Sequence, residues 1–160
     1  VRLGDQSHDH VGSGDADEAV RTTGWEARLL RWAGIRFRAP FVWSETDCAL
    51  LCFEAVDVMT GSLLAVAHRG RYASATEALR YQRRVTNLLR ALANTGGIFP
   101  LRRVETPARG DILIAPLGGF LCGHVCLGEY AISAWPEAGV QLALSAEAMV
   151  LPGAIVLRIP

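Results

Sequence analysis

The four cysteines of this 160-residue chain lie in two short segments, and the second segment also holds a histidine. Cys48 and Cys52 belong to a stretch that reads as the start of a helix, on which residues four apart share a face. Cys122, His124 and Cys126 alternate along a stretch that reads as a strand, so their side chains share one face. A thiol at a helix start beside a strand histidine is the arrangement of a cysteine nucleophile and its base.

The residues around Cys48 favour this chemistry. Asp47 is suited to cap the helix, because its carboxylate can accept a backbone N–H of the first turn; contact with a substrate is the alternative role. Cys48 then lies at the positive end of the helix dipole, where a cysteine pKa is lowered. We expect His124 to take the thiol proton and pass it to the leaving group. Ser133 or Gln141, on the following strands, are the candidates to orient the imidazole.

A thiolate metal site is the rival interpretation of the same segments. Cys48, Cys52, Cys122 and Cys126, with or without His124, would suit zinc or an iron–sulfur cluster. Three residues separate the cysteines of each pair, and each pair lies on a regular element, which is unlike the usual structural zinc pairs. Packing thiols at the last three cysteines, or a disulfide between helix and strand, are also open. A bound metal would exclude a free nucleophile at Cys48, whereas the hydrolytic interpretation needs no cofactor.

The elements that must position these residues follow from the apolar spacing and from the turn residues. An amphipathic helix is predicted at 25–33, ended by Gly34. A second helix is predicted at about 47–60, ended by Gly61, and its apolar residues cover more than one stripe, so it should be buried on most sides. A third, long helix begins at the capping box 74–77 and runs to about Asn94. Short β-branched runs follow, and they predict five strands at 111–115, 121–127, 130–134, 140–144 and 154–159. Helices followed by strands predict an α+β domain, with the helices packed on one face of an antiparallel sheet.

Composition limits the kinds of partner. The acidic and basic residues are equal in number, sixteen each, so nothing in the charge favours nucleic acid or an anionic membrane surface. No apolar run approaches the length of about 20 residues that a bilayer span requires, and the N-terminus does not read as a signal peptide. Residues 1–22 are polar and rich in Gly, Asp and Ser, which predicts a flexible arm. Residues 23–160 are expected to form one domain.

Three segments resemble the NlpC-type cysteine peptidases, whose core is papain-like. They are Asp47-Cys48 at the helix start, Gly110-Asp111-Ile112-Leu113-Ile114, and Gly123-His124-Val125-Cys126-Leu127-Gly128. The family carries Asp-Cys-Ser-Gly, Gly-Asp-Leu-Val and His-Val-Gly-Ile-Tyr-Leu-Gly in the same order. The resemblance covers roughly residues 40–145. It implies a papain-like α+β core in which a helix-borne cysteine faces a strand-borne histidine.

A closer likeness is to small proteins of this superfamily encoded among the tail genes of phages and prophages. Shared with them are Pro40-Phe41-Val42-Trp43, Thr60-Gly61 and Arg69-Gly70-Arg71-Tyr72. Trp43 is read either as a packed loop aromatic or as a residue lining a substrate groove. The likeness implies a virion protein of the phage tail tip, present in the bacterial cytoplasm before assembly, with residues 1–22 available to other tail proteins.

The resemblance assigns roles residue by residue. Cys48 matches the nucleophile and His124 the base, while Ser133 falls near the third catalytic position, where the family tends to have histidine. The implied reaction is hydrolysis of peptide bonds in bacterial cell-wall stem peptides, with the backbone N–H of Cys48 helping to hold the oxyanion. The alternative is a structural tail-tip or tail-assembly protein that keeps the fold without the activity, as a relic site or as a metal site.

Overall fold

The structure is a computed structural model, and it describes residues 21–84, 102–149 and 151–159. The predicted arm at 1–22 and the predicted end of the long helix near Asn94 lie almost entirely outside these residues. Among the described residues, no helix is both long enough and apolar enough to cross a membrane.

The helices are α1 (Trp25–Arg36), α2 (Cys48–Thr60), α3 (Leu64–His68), α4 (described over residues 75–84) and α5 (Ser145–Met149). The predicted end of α1 at Gly34 is wrong, because the helix continues through this glycine to Arg36. A glycine inside a helix costs about 1 kcal/mol relative to alanine. The packing of α1 on α2 outweighs that cost, and the Arg36 guanidinium binds the Glu54 carboxylate of α2 at 2.6 and 2.7 Å.

In the part of the chain that the structure describes, six strands form one antiparallel sheet in the order β1-β6-β2-β3-β4-β5. They are β1 (Arg102–Val104), β2 (Ile112–Leu117), β3 (Phe120–Cys126), β4 (Tyr130–Trp135), β5 (Gly139–Leu144) and β6 (Ile155–Arg158). All five predicted strands are present. The sixth, β1, has only three residues, too few to show an alternating pattern, and it pairs with β6 at the sheet edge. The α+β class, with helices before an antiparallel sheet, is confirmed.

The two faces of the sheet are covered differently. The main core lies between the sheet and helices α1 and α2, and it includes Leu51, Ala55, Val125 and Ile132. A smaller cluster lies on the opposite side of β2, β3 and β6, where Leu113, Cys126 and Val156 pack with Ala148 of α5. Residues of β3 therefore alternate between the two clusters, as the period of a strand requires.

Asp111 secures the loop before β2 and joins distant parts of the chain. Its buried carboxylate accepts the backbone N–H of Ala108 at 2.7 Å and two hydrogen bonds from Arg158 of β6, at 2.9 and 2.7 Å. Arg21 approaches the same carboxylate at 3.5 Å. A fully buried carboxylate requires such partners, since an unpaired buried charge is costly.

Candidate functional site

The site begins with the cap of α2, because Asp47 fixes the start of the helix that carries Cys48. One carboxylate oxygen of Asp47 accepts the backbone N–H groups of Ala49 at 3.0 Å and Leu50 at 2.9 Å. The other accepts the N–H of Ser44 at 2.6 Å and the hydroxyl of Tyr72 at 2.7 Å. Asp47 is 2% exposed. The predicted cap is confirmed, whereas a carboxylate this buried and this fully bonded has no capacity left to bind a substrate.

Cys48 is the first residue of α2, as predicted, but its thiol lies against that of Cys122. The hydrogen bond to Cys122, followed by burial, raises the pKa of Cys48, and the backbone N–H of Gly123 directed at the sulfur only partly offsets this. The same thiol–thiol hydrogen bond lowers the pKa of Cys122. The lowered pKa expected for Cys48 from the helix dipole is therefore not found. Of the pair, Cys122 ionises first.

Gly123 explains how β3 comes so close to the start of α2. A Cβ atom at this position would lie 2.5 Å from Cys52 Sγ and 3.1 Å from the Cys48 carbonyl oxygen. A side chain at residue 123 would therefore force the Cys52 thiol or the helix to shift, because the strand backbone rests directly on the first turns of the helix. Val125, two residues further along β3, faces the same way and enters the core beneath α2.

His124 consequently projects away from the core beneath α2. Its imidazole is 3% exposed and meets the ring of Trp135 edge to face, with centroids 5.7 Å apart. Burial lowers the pKa of His124, an effect that the carbonyls of Cys122 and Leu113 partly offset. Nδ1 has no hydrogen-bond partner among the described residues. Within the same residues no hydrogen bond joins His124 to Cys48, so the expected thiol–imidazole pair is not formed in this structure.

Neither candidate for the orienting residue contacts the imidazole through a hydrogen bond. Ser133 is buried, and its hydroxyl donates to the Gly123 carbonyl at 2.8 Å, across from β4 to β3. Gln141 lies opposite Ser133 on β5, and its amide donates to the Ala138 carbonyl at 2.7 Å, within the turn before that strand. Both side chains satisfy backbone carbonyls near them, which is the commonest use of such groups. The predicted third catalytic role for Ser133 has no support in this geometry.

The cysteines do not assemble as the metal alternative requires. Cys52 is buried beside Gly123, and burial, with the Asp47 charge adding to it, raises the pKa of Cys52 to about 12. Cys126 lies apart, beneath α5, with Sγ 3.4 Å from the Gly128 carbonyl and 3.5 Å from the Ser145 hydroxyl. In the part of the chain that the structure describes, no group of three or more ligand side chains is arranged to hold a metal ion.

Trp43 is half-buried in the loop before α2. Its ring meets Phe41 edge to face at 4.7 Å and Tyr72 at 6.4 Å, and it packs against the cluster around Leu50 and Phe53. These contacts match the interpretation of Trp43 as a packed loop aromatic. They leave only part of its surface available to a ligand.

A group of aromatic residues and one histidine, which was not predicted from the sequence, packs next to the cap residue Asp47. Tyr72 binds Asp47, and burial raises the pKa of its hydroxyl. Tyr81, 5.3 Å from Tyr72 between ring centroids, has its hydroxyl 2.6 Å from His68 Nδ1, and His68 stacks on Phe53 of α2. The Arg-Gly-x-Tyr turn was the one available signal, since it carries Tyr72.

Glu54 is the second residue that was missed. It lies on α2, and its buried carboxylate accepts from Trp32 Nε1 at 3.0 Å, from Arg36, and from Arg69 at 2.6 Å. Arg69 also bonds Glu45 at 2.7 Å. The signal was an acidic residue between the apolar residues Phe53 and Ala55 of the helix, because a buried carboxylate needs charged partners.

These features define an α+β domain with a cysteine at the start of a buried helix that packs on β3 and β4 of an antiparallel sheet. Residues 20–150 match the model of a family described as a domain of unknown function, DUF6950. The chain belongs to this family. No curated protein and no solved structure matches it.

Proposed function

We propose that the domain has a papain-like core of the NlpC type and acts as a cysteine hydrolase on the stem peptides of the bacterial cell wall, as part of a phage or prophage tail. The sequence resemblance supports this proposal. One structural observation carries it: Cys48 begins α2, and the strand that rests on this helix start presents the backbone N–H of Gly123 to the sulfur. Such an N–H stabilises a thiolate, the nucleophilic form of cysteine.

In the proposed reaction, Cys48 attacks the peptide carbonyl and forms a thioester while the amine leaves. His124 takes the thiol proton and returns it to the amine, after which water hydrolyses the thioester. This route requires the imidazole to turn toward Cys48 when substrate displaces the thiol of Cys122. Among the described residues, Nδ1 of His124 has no hydrogen-bond partner, so the movement breaks no hydrogen bond at this atom.

The test is release of peptide fragments or amines from purified bacterial peptidoglycan by the reduced protein. Cys48→Ala and His124→Ala should each abolish the release, while Cys126→Ser, a thiol on the same strand as His124 but beneath α5, should keep it. Equal turnover by Cys48→Ala and the parent would refute the proposal.

A structural tail-tip or tail-assembly protein without activity is the second candidate. The observation that favours it is the resting state of the two proposed catalytic groups, with the Cys48 pKa raised and the imidazole next to Trp135. In this case Cys48 labels slowly at all pH values below 9, peptidoglycan is not cleaved, and the protein is recovered with assembled tails. Localisation to virions would agree with both candidates, so hydrolysis decides between them.

A further inference from the structure

Two of the four thiols differ from the others in both exposure and neighbours. Cys48 and Cys122 are partly exposed, whereas Cys52 and Cys126 are buried. The two partly exposed cysteines are also the two whose thiols contact each other, across the junction between α2 and β3. Cys126 is engaged with Gly128 and Ser145 beneath α5 and is separated from this pair.

The backbone around the pair holds it in place. Gly123, which follows Cys122, lies against the carbonyl of Cys48, so the backbones at the two cysteines are neighbours. Cys48 is held at the helix start by the fully bonded cap at Asp47. Two neighbouring thiols on packed elements are candidates for a disulfide, because this bond forms between cysteines whose Cα atoms are close together.

We propose that Cys48 and Cys122 form a reversible disulfide, and that this pair is an oxidation site of the domain. Cys122 reacts first, because it is the more readily ionised thiol of the pair. Its thiolate attacks a peroxide, forming a sulfenic acid and releasing the alcohol or water. The Cys48 thiol then attacks the sulfenic sulfur and forms the disulfide, while the sulfenic hydroxyl leaves with the thiol proton as water. Together the two thiols lose two electrons, and these electrons reduce the O–O bond of one peroxide molecule.

The disulfide has a consequence for the proposed hydrolase, and that part rests on the proposed function. A sulfur bonded to Cys122 cannot attack a carbonyl, so the oxidised domain would be inactive until a thiol reductant restores Cys48. Formation of the disulfide itself does not depend on any hydrolytic activity. If the protein proves to have no hydrolase activity, the thiol titration therefore still tests the disulfide.

The experiment begins with the reduced protein and hydrogen peroxide as the oxidant. Thiols titrated under denaturing conditions should fall from four per chain to two, and dithiothreitol should restore all four. Trypsin leaves Cys48 together with Cys52 in the peptide 39–69, and Cys122 together with Cys126 in 110–158, so peptide mass alone does not identify the bond. The double variant Cys52→Ala/Cys126→Ser keeps only the two proposed partners. Its oxidised form should show the two peptides joined, with two hydrogen atoms lost.

Further variants separate the proposal from general oxidation. Cys48→Ser should abolish the loss of two thiols and should leave Cys122 as a sulfenic acid that a dimedone probe traps. Cys122→Ser should also abolish the loss of two thiols, whereas Cys126→Ser should oxidise like the parent. Fragmentation of the linked peptides from the parent protein serves as a check that does not depend on any variant folding. A bond from Cys52 to either partner, oxidation of single thiols without a cross-link, or unchanged thiol counts would each overturn the proposal.

Discussion

The contact between β3 and the start of α2 depends on the absence of a side chain at Gly123, and the substitution Gly123→Ala tests it. The added methyl would lie 2.5 Å from Cys52 Sγ and 3.1 Å from the Cys48 carbonyl oxygen. The first distance is far inside any normal contact, so strand and helix must separate or the Cys52 side chain must turn. Overpacking of a tight core costs about 1–3 kcal/mol. For a domain of this size, a loss of about 2 kcal/mol lowers Tm by about 4–8 °C.

Because the closest atom belongs to Cys52, the cost should depend on that side chain. Removing the sulfur with Cys52→Ala leaves only the milder contact with the Cys48 carbonyl. In that background Gly123→Ala should cost at least about 1 kcal/mol less, a coupling typical of residues in direct contact. The four proteins of this cycle should be compared by urea unfolding followed by circular dichroism, in the presence of reductant so that no disulfide contributes.

Gly34→Ala is the matched control. It adds the same methyl to α1, where nothing lies within 4 Å, and helix propensity predicts a gain of about 1 kcal/mol. If Gly123→Ala changes the free energy of unfolding by less than about 0.5 kcal/mol, or costs as much without the Cys52 sulfur as with it, then the close seating of β3 on α2 is incorrect.

Four other variants probe the cap, the buried carboxylate and the two buried histidines. Asp47→Asn keeps one acceptor oxygen but turns an amide N–H group toward the N–H of Ser44, so denaturant unfolding should show a loss of about 1–3 kcal/mol. Glu54→Gln should cost about 1–3 kcal/mol in the same assay. The loss should lie toward the lower end of this range, because the guanidinium groups that bind Glu54 are partly exposed to solvent. Burial lowers the pKa of His124 and of His68 below 6.5, so the unfolded chain binds protons first and stability should fall as pH drops below about 6.5. His124→Gln and His68→Gln should each flatten that slope, and unchanged slopes would contradict the burial of these rings as neutral imidazoles.

Much of the architecture could be predicted from local sequence signals. The helix α2 was marked by an acidic cap and a terminal glycine, Asp47 and Gly61, and both act as expected. The strands were marked by β-branched residues between turns. The extension of α1 past Gly34 could not be predicted in this way, since it depends on the contact of Arg36 with Glu54, a residue distant in the chain.

The arrangement of the site was harder to predict, because the strand period fixes which residues share a face but not which face meets the helix. His124 and Cys126 were correctly expected to share one side of β3, yet that side lies opposite the core beneath α2. The alternate residues Gly123, Val125 and Leu127 contained the relevant signal, since they are small or apolar and join the main core. The pairing of Cys48 with Cys122 follows from the packing of helix on strand and has no signature in local spacing.

The carboxylate of Asp111 has an implication for how the domain is connected to whatever flanks it. Arg21, the first described residue, and Arg158 of β6 both bond to it, so these two ends of the described fold lie within the reach of arginine side chains from one point. A unit with adjoining ends can be inserted into a surface loop of another protein without stretching either. Its ends could equally be joined and new ones opened elsewhere, so a circular permutant should retain the sheet order.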